Sequence, residues 1–423
     1  MIRFLLKGIL RDRSRSLLPI IVVSLGVMIT VFLQAYMNGV LGDSIEWTAK
    51  FTTGHVKVMT RGYEDNMSQM PNDYALSGLD NLKQTLANEY PELNWVSRIE
   101  FGGLLDVPDE NGLTRTQGNV IGMGLDMINT AEETERMNLR DYLISGAFPE
   151  HRGEVLLSSE LFSQMGLRLG DKVTLISTGM WGDMVLYNFT VCGTLRFGIT
   201  SLDRGFMIAD IEDIRMALGM ENAASEILGF FKDGYYNDKQ ANALASNFNL
   251  KHSDPQDLFS PLMLPLRDMN GMEFFVAYAR QMQYLIVLIF VMAMSLVLWN
   301  AGLIGGLRRY GEFGLRLAIG ENKHELYRSL MAEAILVGII GSIIGVGLGL
   351  LFSWILQENG LDIGQMLKDT TIMMPTVIRA RISPATYYIG FIPGIISTLI
   401  GAMLSGIGIY KRQTATLFKE LEN

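Results

Sequence analysis

"LLPIIVVSLGVMITVFLQAYMNGVLG", residues 17–42, contains no charged side chain. A helix of about 20 apolar residues crosses the hydrocarbon core of a bilayer, so this stretch is long enough to span a membrane. Three further runs, 281–307, 334–357 and 382–410, are also uncharged and of comparable length. The sequence therefore predicts an α-helical membrane protein with four transmembrane helices. Because the first run is longer than the apolar part of a signal peptide, we expect it to be retained as a span.

A long segment that mixes charged and apolar residues, 43–275, separates the first run from the second. Within it, "GHVKVMT" (54–60) and "DKVTLIS" (171–177) are typical of strands bounded by turn residues. Apolar residues recur at helical spacing in "SGLDNLKQTLANEY" (77–90) and "DIEDIRMALG" (210–219). Mixed strands and short helices predict a large α+β domain inserted between transmembrane helices 1 and 2.

Lysine and arginine residues predict the orientation. They precede the first run, lie between the second and third, and follow the fourth, which by the positive-inside rule indicates cytoplasmic segments. We expect both termini in the cytoplasm, the large domain outside, and helical stalks at 43–51 and 262–280. The predicted parts are a cytoplasmic N-terminus (1–16), transmembrane helix 1 (17–42), the outer domain with its stalk ends (43–275), transmembrane helix 2 (276–307), a cytoplasmic loop (308–328), transmembrane helix 3 (329–357), an outer loop (358–383), transmembrane helix 4 (384–410) and a cytoplasmic tail (411–423).

The composition argues against several classes of function. The chain has a net charge of −9, whereas a general nucleic-acid-binding protein has an excess of basic residues. No GxxxxGK[ST] loop occurs, so any ATP that drives this protein is expected to bind another chain. The four histidines lie far apart and Cys192 is the only cysteine, which predicts neither a metal site nor an intrachain disulfide. Since no nucleophile and base are paired, we expect a non-catalytic chain that binds no cofactor.

A short charged segment, "RRYGEFGLRLAIG" (308–320), lies between the second and third apolar runs. It is too charged to cross a membrane, and its apolar residues and glycines suit a short amphipathic helix with turns at the inner membrane face. Considered by itself, the segment fits such a helix or a solvated turn that only sets the topology.

The same segment, extended by one residue to "RRYGEFGLRLAIGE", resembles the pattern ERxxEIGxLRAIGA that follows the second span in the FtsX-like and MacB-like permeases of ABC transporters. Arg308 stands where this family usually has Glu, and Leu317 where it often has Arg. The matching residues are Glu312, Gly314, Arg316, Ala318, Ile319 and Gly320.

Two further motifs support the resemblance, and the order of one span, a large outer domain and three spans is also that of the family. "LISGAFPEHRGEVLLSSELFSQMGLRLGDKVTL" (143–175) is similar to a block of the outer domain in these permeases. "MNGVLGDSIEWTAKFTTGHVKVMTRGYED" (37–65) resembles the entry to the outer domain in the lipoprotein-releasing, Lol-type members. The residues that match in this second motif are Met37, Asn38, Gly39, Gly54 and His55.

The resemblance implies how the chain works. In the family the charged loop holds a coupling helix that docks into a groove of a separate ATPase subunit, which binds ATP and Mg²⁺. The implied partners are an ABC ATPase dimer, a second permease copy or paralogue, a lipoprotein substrate with its periplasmic carrier, and membrane lipid; nucleic acid is not expected. The residues predicted to contact the ATPase are Arg309, Glu312, Phe313, Gly314, Arg316, Ala318 and Gly320.

The spans hold no deeply placed ionisable residue, which disfavours proton- or ion-driven transport. A protein that transmits force, or that binds an apolar lipid anchor, fits better. The residues predicted to line a cavity for that anchor are Val31, Gln34, Tyr36, Asn38, Ile286 and Phe290. Glycines 341, 345 and 349 have a spacing that permits close helix packing, either as a static contact or as a surface that slides during the cycle.

We therefore expect a permease in the bacterial inner membrane that extracts lipoproteins for sorting to the outer membrane. Two alternatives stay open. One is the permease of a macrolide- or peptide-exporting tripartite pump, and the other is an FtsX-like regulator that transports nothing and controls a cell-wall hydrolase.

Overall fold

The computed structural model describes residues 13–109, 112–130, 132–197, 200–269, 271–308, 315–317, 319–362 and 377–411. The chain divides into two compact units. Of the described residues, the helical unit comprises those in 13–42, 276–362 and 377–411, and the mixed unit comprises those in 43–275.

Four long helices of the helical unit lie in the described part of the chain, and we name them the first to fourth helix in chain order. They are Arg13–Thr48, Met272–Arg308, Lys323–Asn359 and Phe391–Lys411, the last preceded by a short helix, Thr386–Ile389. By length and composition, three helical stretches of the described residues could cross a membrane: Leu17–Thr53, Lys323–Asn359 and Thr386–Gly406. Tyr284–Asn300, in the second helix, is apolar but shorter, so the count of four spans stays a prediction.

The mixed unit contains strands and short helices, in agreement with the predicted mixture of both. Its strands are β1 Val56–Thr60, β2 Leu76–Ser77, β3 Leu93–Pro108, β4 Thr114–Leu125, β5 Leu143–Gly146, β6 Glu154–Ser158, β7 Lys172–Thr178, β8 Met184–Leu195, β9 Phe206–Asp210, β10 Ala223–Ala224, β11 Glu226–Phe231 and β12 Pro261–Pro265. Besides four short 3-10 helices (Met67–Gln69, Asn72–Tyr74, Leu139–Tyr142 and Leu266–Asp268), it contains the π-helix Ala49–Thr53 and the α-helices Arg61–Asp65, Leu79–Glu89, Glu132–Arg136, Ser159–Gln164, Thr200–Asp203, Ile211–Leu218 and Asp238–His252.

One half of the mixed unit is a four-stranded antiparallel sheet in the order β12-β1-β11-β3. Leu79–Glu89 connects β1 to β3, and Asp238–His252 connects β11 to β12. This βαββαβ sequence with these neighbours is the ferredoxin-like arrangement. In this chain the connection from β3 to β11 contains the other half of the unit.

The other half is a closed ring of six strands. β3 pairs with β4, β4 with β9, β9 with β6, β6 with β8, β8 with β7, and β7 returns to β3. Because β3 is 16 residues long, its first part belongs to the four-stranded sheet and its second part to the ring. One hydrophobic core extends from β1 and the helix Leu79–Glu89 to β7 and β8.

The predicted local elements are present. β1 lies within the first predicted strand, and β7 overlaps the second, beginning and ending one residue later than predicted. The helix Leu79–Glu89 buries Leu79 and Leu86, and the helix Ile211–Leu218 buries Ile211, Ile214 and Leu218. Asp210 caps the second of these helices, since its side chain accepts a hydrogen bond from the N–H of Glu212.

The structure agrees with the first predicted stalk and differs at the second. Residues 43–51 are helical, since the first helix continues to Thr48 and is followed by the π-helix Ala49–Thr53. The predicted second stalk, 262–280, is wrong in its first part, because Pro261–Pro265 is the strand β12 and the second helix begins at Met272. Residues 261–265 form a strand because all of them pair with β1, a contact between segments far apart in the sequence.

Candidate functional site

The end of the charged segment is a closed, exposed helical turn. The N–H groups of Ile319, Gly320 and Glu321 donate to the carbonyls of Leu315, Leu317 and Arg316, at 3.0, 3.2 and 3.1 Å. Gly320 has a φ of +99°, a backbone region that favours glycine. The third helix begins three residues later, so the turn is connected directly to it.

Two apolar side chains of this turn point outward. Leu315 and Ile319 are 59% and 78% exposed and lie four residues apart, hence on one helical face. Of the predicted coupling residues, Arg316 and Gly320 belong to this turn. Five others lie outside the described residues: Arg309, Glu312, Phe313, Gly314 and Ala318.

Close packing joins the third helix to the first. A methyl group built on Gly341, Gly345 or Gly349 would lie 2.7 Å from a side-chain atom of Val23, Val27 or Val31, respectively. On Gly345 it would also lie 2.6 Å from the backbone oxygen of Ser24. Each glycine therefore receives one valine of the first helix, as in small-xxx-small packing. The contact is tight here; whether it slides during a cycle stays a prediction.

The six residues predicted to line a lipid cavity differ in their surroundings. Val31 and Gln34 are buried, with exposures of 0% and 1%, and Val31 packs against Gly349 and Gly390. Gln34 Oε1 finds no hydrogen-bond partner among the described residues. The remaining four are partly exposed: Tyr36, Asn38, Ile286 and Phe290. Their role as a cavity stays a prediction.

Polar contacts attach the segment before the fourth helix to the first helix. Asn38 Nδ2 donates to Ser383 Oγ at 3.2 Å, and the N–H of Arg381 donates to the carbonyl of Ala35 at 2.9 Å. Gly39 lies so close to the carbonyl of Arg379 that a methyl group there would be only 1.8 Å from it. The predicted motif residues Asn38 and Gly39 therefore have a packing role within the helical unit.

Within the mixed unit, a buried arginine binds the turn that precedes β1. Arg98, on β3, is fully buried, and its guanidinium donates to the carbonyls of Phe51 and Lys50 at 3.1 and 2.5 Å. Its Nε also donates to Glu133 Oε2 at 2.6 Å. Residues 49–53 are thus bound to the sheet by charge-assisted hydrogen bonds.

A second polar contact lies close by in sequence, at the predicted Gly-His motif. The N–H of Phe231 donates to His55 Nδ1 at 2.9 Å, which leaves Nε2 to donate to Glu46 Oε2 at 2.9 Å. The other carboxylate oxygen of Glu46 accepts from the N–H of Tyr236 at 2.6 Å. Gly54 has a φ of +62°, and a methyl group on it would lie 2.8 Å from the carbonyl of Val56. Both residues of the motif are therefore required by the local structure.

Aromatic packing completes this region, which we name the joint and define as residues 43–55 with their partners in the mixed unit. Trp47 stacks on Phe51 at 4.9 Å between ring centroids. Phe51 in turn contacts Tyr142 and Phe197 edge-on at 6.3 and 6.4 Å. Because these rings belong to a buried apolar cluster, displacing the joint would disrupt the core of the mixed unit.

The charges near the joint alternate in sign across the sheet. Lys57 and Glu226 form a buried ion pair, Glu226 lies directly opposite Arg98 in the β11–β3 register, and Arg98 pairs with Glu133. Burial raises the pKa of Glu226 to about 7, while the neighbouring ammonium of Lys57 acts in the opposite direction. Buried charges of this kind are stable only when paired.

Sequence reasoning missed Arg98, Glu133 and Glu46. Each is a charged residue in a segment where charged residues are common, and their partners are distant in sequence. The only available signal was the Gly-His motif, which pointed to the joint through the family resemblance.

Comparison with known proteins gives three similarities. Residues 284–414 match the family model described as FtsX-like permease C-terminal. A segment of 94 residues is 26% identical to the macrolide export ATP-binding/permease protein MacB of Psychrobacter cryohalolentis, and it covers 22% of this chain and 14% of that protein. The periplasmic region of MacB from Actinobacillus actinomycetemcomitans matches with a TM-score of 0.35 and 13% identity, over 53% of this chain and 95% of the other. The family-model match and the sequence similarity to MacB confirm the family resemblance predicted from the sequence.

Proposed function

We propose that this chain is the membrane subunit of an ABC transporter, and the match of residues 284–414 to the FtsX-like permease C-terminal model supports this proposal. A separate ATPase dimer binds ATP and Mg²⁺ and moves the charged turn. The mixed unit, outside the cytoplasmic membrane, receives that motion. The chain itself performs no chemical step and works beside a second permease copy or paralogue.

The joint supports the transmission of force. The first helix ends at Thr48, and the residues that follow are bound by Arg98, by the Glu46–His55 pair and by stacked aromatic rings. Charge-assisted hydrogen bonds in a buried setting are about twice as strong as neutral ones. A pull on residues 43–53 is therefore transferred to β3 and β11 rather than dissipated in a flexible linker.

The charged turn is the proposed contact with the ATPase. Its apolar residues Leu315 and Ile319 are exposed and can fill a groove on another protein. We expect Gly320→Val to disturb the turn, because a β-branched residue at a positive φ costs about 1–3 kcal/mol. ATPase activity stimulated by the permease should fall about tenfold or more.

The matched control for this prediction is Gly320→Asn, since asparagine tolerates a positive φ better than valine. It should retain most of the stimulated ATPase activity. A methyl group on Gly320 meets no atom of the described residues within 4 Å, so the cost of Gly320→Val comes from backbone strain alone, and Gly320→Asn should unfold thermally like the parent. Full stimulation by Gly320→Val would show that the turn is not the contact.

The proposed substrate class is the lipoproteins, extracted from the inner membrane and passed to a periplasmic carrier. Its support is the Lol-like motif at residues 37–65, together with the absence of ionisable residues deep in the apolar runs. Depletion of the protein should leave outer-membrane lipoproteins in the inner-membrane fraction, measured by density-gradient separation and immunoblotting. Normal sorting in a depleted strain that has no paralogue would contradict this proposal.

The similarity to a protein named as a macrolide exporter supports a second candidate, an exporter permease. Depletion would then raise sensitivity to macrolides and leave lipoproteins correctly sorted. The same strain therefore distinguishes the two substrate classes.

A further inference from the structure

The first part of β3 is an open sheet edge. Residues 93–98 pair with β11, while β4 and β7 pair only with later residues of β3, from Ile99 and Gly103 onward. No other strand among the described residues pairs with 93–98. One row of peptide groups in this part of β3 therefore has no strand partner.

The direction of these peptide groups follows from their neighbours on β11. The carbonyl of Gly229 accepts from the N–H of His55, and the N–H of Phe231 donates to the His55 ring, so both groups point away from β3. Gly229 lies opposite Trp95, and Phe231 lies opposite Leu93. Neither pair exchanges backbone hydrogen bonds, because the peptide groups of the β11 residue point the other way. The N–H and C=O of Trp95, and by alternation those of Ser97, consequently face the open edge.

A groove lies along this edge. Its floor is the start of β3, one wall is the helix Leu79–Glu89, the other is the helix Glu132–Arg136, and its volume is about 840 Å³. The wall of 132–136 is attached to the sheet, since Glu133 accepts from Arg98 Nε at 2.6 Å and the guanidinium of Arg136 lies 4.3 Å from the ring centroid of Phe230. The lining residues are Lys83, Gln84, Ala87, Leu93, Asn94, Trp95, Glu132, Glu135 and Arg136.

The opposite edge of the same sheet is closed to such pairing. Asn249 donates to the carbonyl of Met263 and accepts from its N–H, both at 2.8 Å, and so takes the place of a neighbouring strand. Pro261 and Pro265, at the two ends of β12, have no N–H to offer. The edge at β12 is therefore blocked, whereas the edge at β3 is open and lies in a groove. This is the pattern expected of a site that accepts an additional strand.

We propose that the edge of β3 at Trp95–Ser97 binds an extended segment of a partner or substrate polypeptide, which adds to the sheet as an antiparallel or parallel fifth strand. Only a polypeptide presents donors and acceptors at the strand repeat that these peptide groups require. The charges of the groove are balanced, with Lys83 and Arg136 against Glu132 and Glu135, so backbone pairing rather than net charge selects the ligand. The proposal goes beyond the proposed function, since it does not depend on a lipid anchor.

The test uses the full chain, purified in detergent, and a fluorescein-labelled peptide of alternating threonine and valine, Ac-KTVTVTVK-NH2. The peptide should bind with an affinity that changes little between low and high salt, and hydrogen exchange at the amides of Trp95 and Ser97 should slow about tenfold. The same peptide with N-methyl groups on alternate residues of its pairing edge should not bind, because it keeps the side chains and loses the backbone donors. Unchanged exchange at both amides, or equal binding of the methylated peptide, overturns the proposal.

Variants locate the site. Ala87→Trp fills the groove and should weaken peptide binding about tenfold or more, whereas Asn88→Trp, at an exposed position of the same helix outside the groove, should leave it unchanged. Circular dichroism of both variants verifies folding. If Ala87→Trp instead dissociates a dimer of the free protein, the edge pairs with a second copy, and the assignment to a partner polypeptide is wrong.

Discussion

Replacement of Arg98 by methionine should lower the free energy of unfolding of the mixed unit by about 3–5 kcal/mol. The variant leaves the carboxylate of Glu133 buried at 1% exposure with Arg136 as its remaining cationic partner. It also removes the donors to the carbonyls of Lys50 and Phe51. The loss should appear as a fall of about 10 °C or more in the midpoint of thermal unfolding, measured by differential scanning fluorimetry in detergent.

Two further variants separate the causes. Arg115→Met changes the same side chain at an exposed position, where the pair with Asp171 is 4.0 Å long, and should cost at most about 1 kcal/mol. The double variant Arg98→Met/Glu133→Leu removes both charges and should be more stable than Arg98→Met alone. If the double variant is as unstable as the single one, the unpaired charge is not the cause.

Because Arg98 binds residues of the joint, its replacement should affect function as well as stability. If residues 49–53 transmit the motion of the first helix, a variant that weakens their attachment should retain ATP hydrolysis and lose substrate release. Glu46→Gln, which keeps the acceptor for Tyr236 and weakens the contact with His55, offers a milder change at the second polar contact. Measuring release per ATP hydrolysed would reveal the loss of coupling.

Gly345→Val should destabilise the helical unit, with a cost of about 3 kcal/mol. Its Cβ would lie 2.6 Å from the carbonyl oxygen of Ser24 and 2.7 Å from Val27 Cβ, so the backbone of the first helix has to move. Gly347→Val, on the same helix, meets no atom of the described residues within 4 Å. We expect the second variant to unfold thermally like the parent.

The smaller change Gly341→Ala tests the pairing directly. Here the obstacle is the side chain of Val23 at 2.7 Å, whereas the nearest backbone atom of the first helix, the oxygen of Ile20, is 3.4 Å away. Addition of Val23→Ala should therefore restore part of the lost stability. Failure of this rescue, or equal instability of Gly347→Val, would mean that the valine–glycine contacts do not decide the packing.

The fold was predictable where the signal is local. Alternation of apolar residues between turn residues predicts the strands β1 and β7. The helical spacing of apolar residues predicts the helices Leu79–Glu89 and Ile211–Leu218. The second stalk was mispredicted because β12 is defined by its pairing with β1, which lies about two hundred residues earlier in the chain. An apolar stretch of this length is compatible with either a strand or a helix until its neighbour is known.

The candidate sites divide in the same way. Sequence by itself determined the long apolar runs, the charged segment at 308–320 and the family to which they point, because length, charge and motif are properties of neighbouring residues. Only the tertiary structure decided that Arg98 binds carbonyls 47 and 48 positions away, that three valines fit three glycines, and that one edge of β3 stays open. These features depend on which strands and helices become neighbours, and that choice is made by the burial of the whole core rather than by any segment alone.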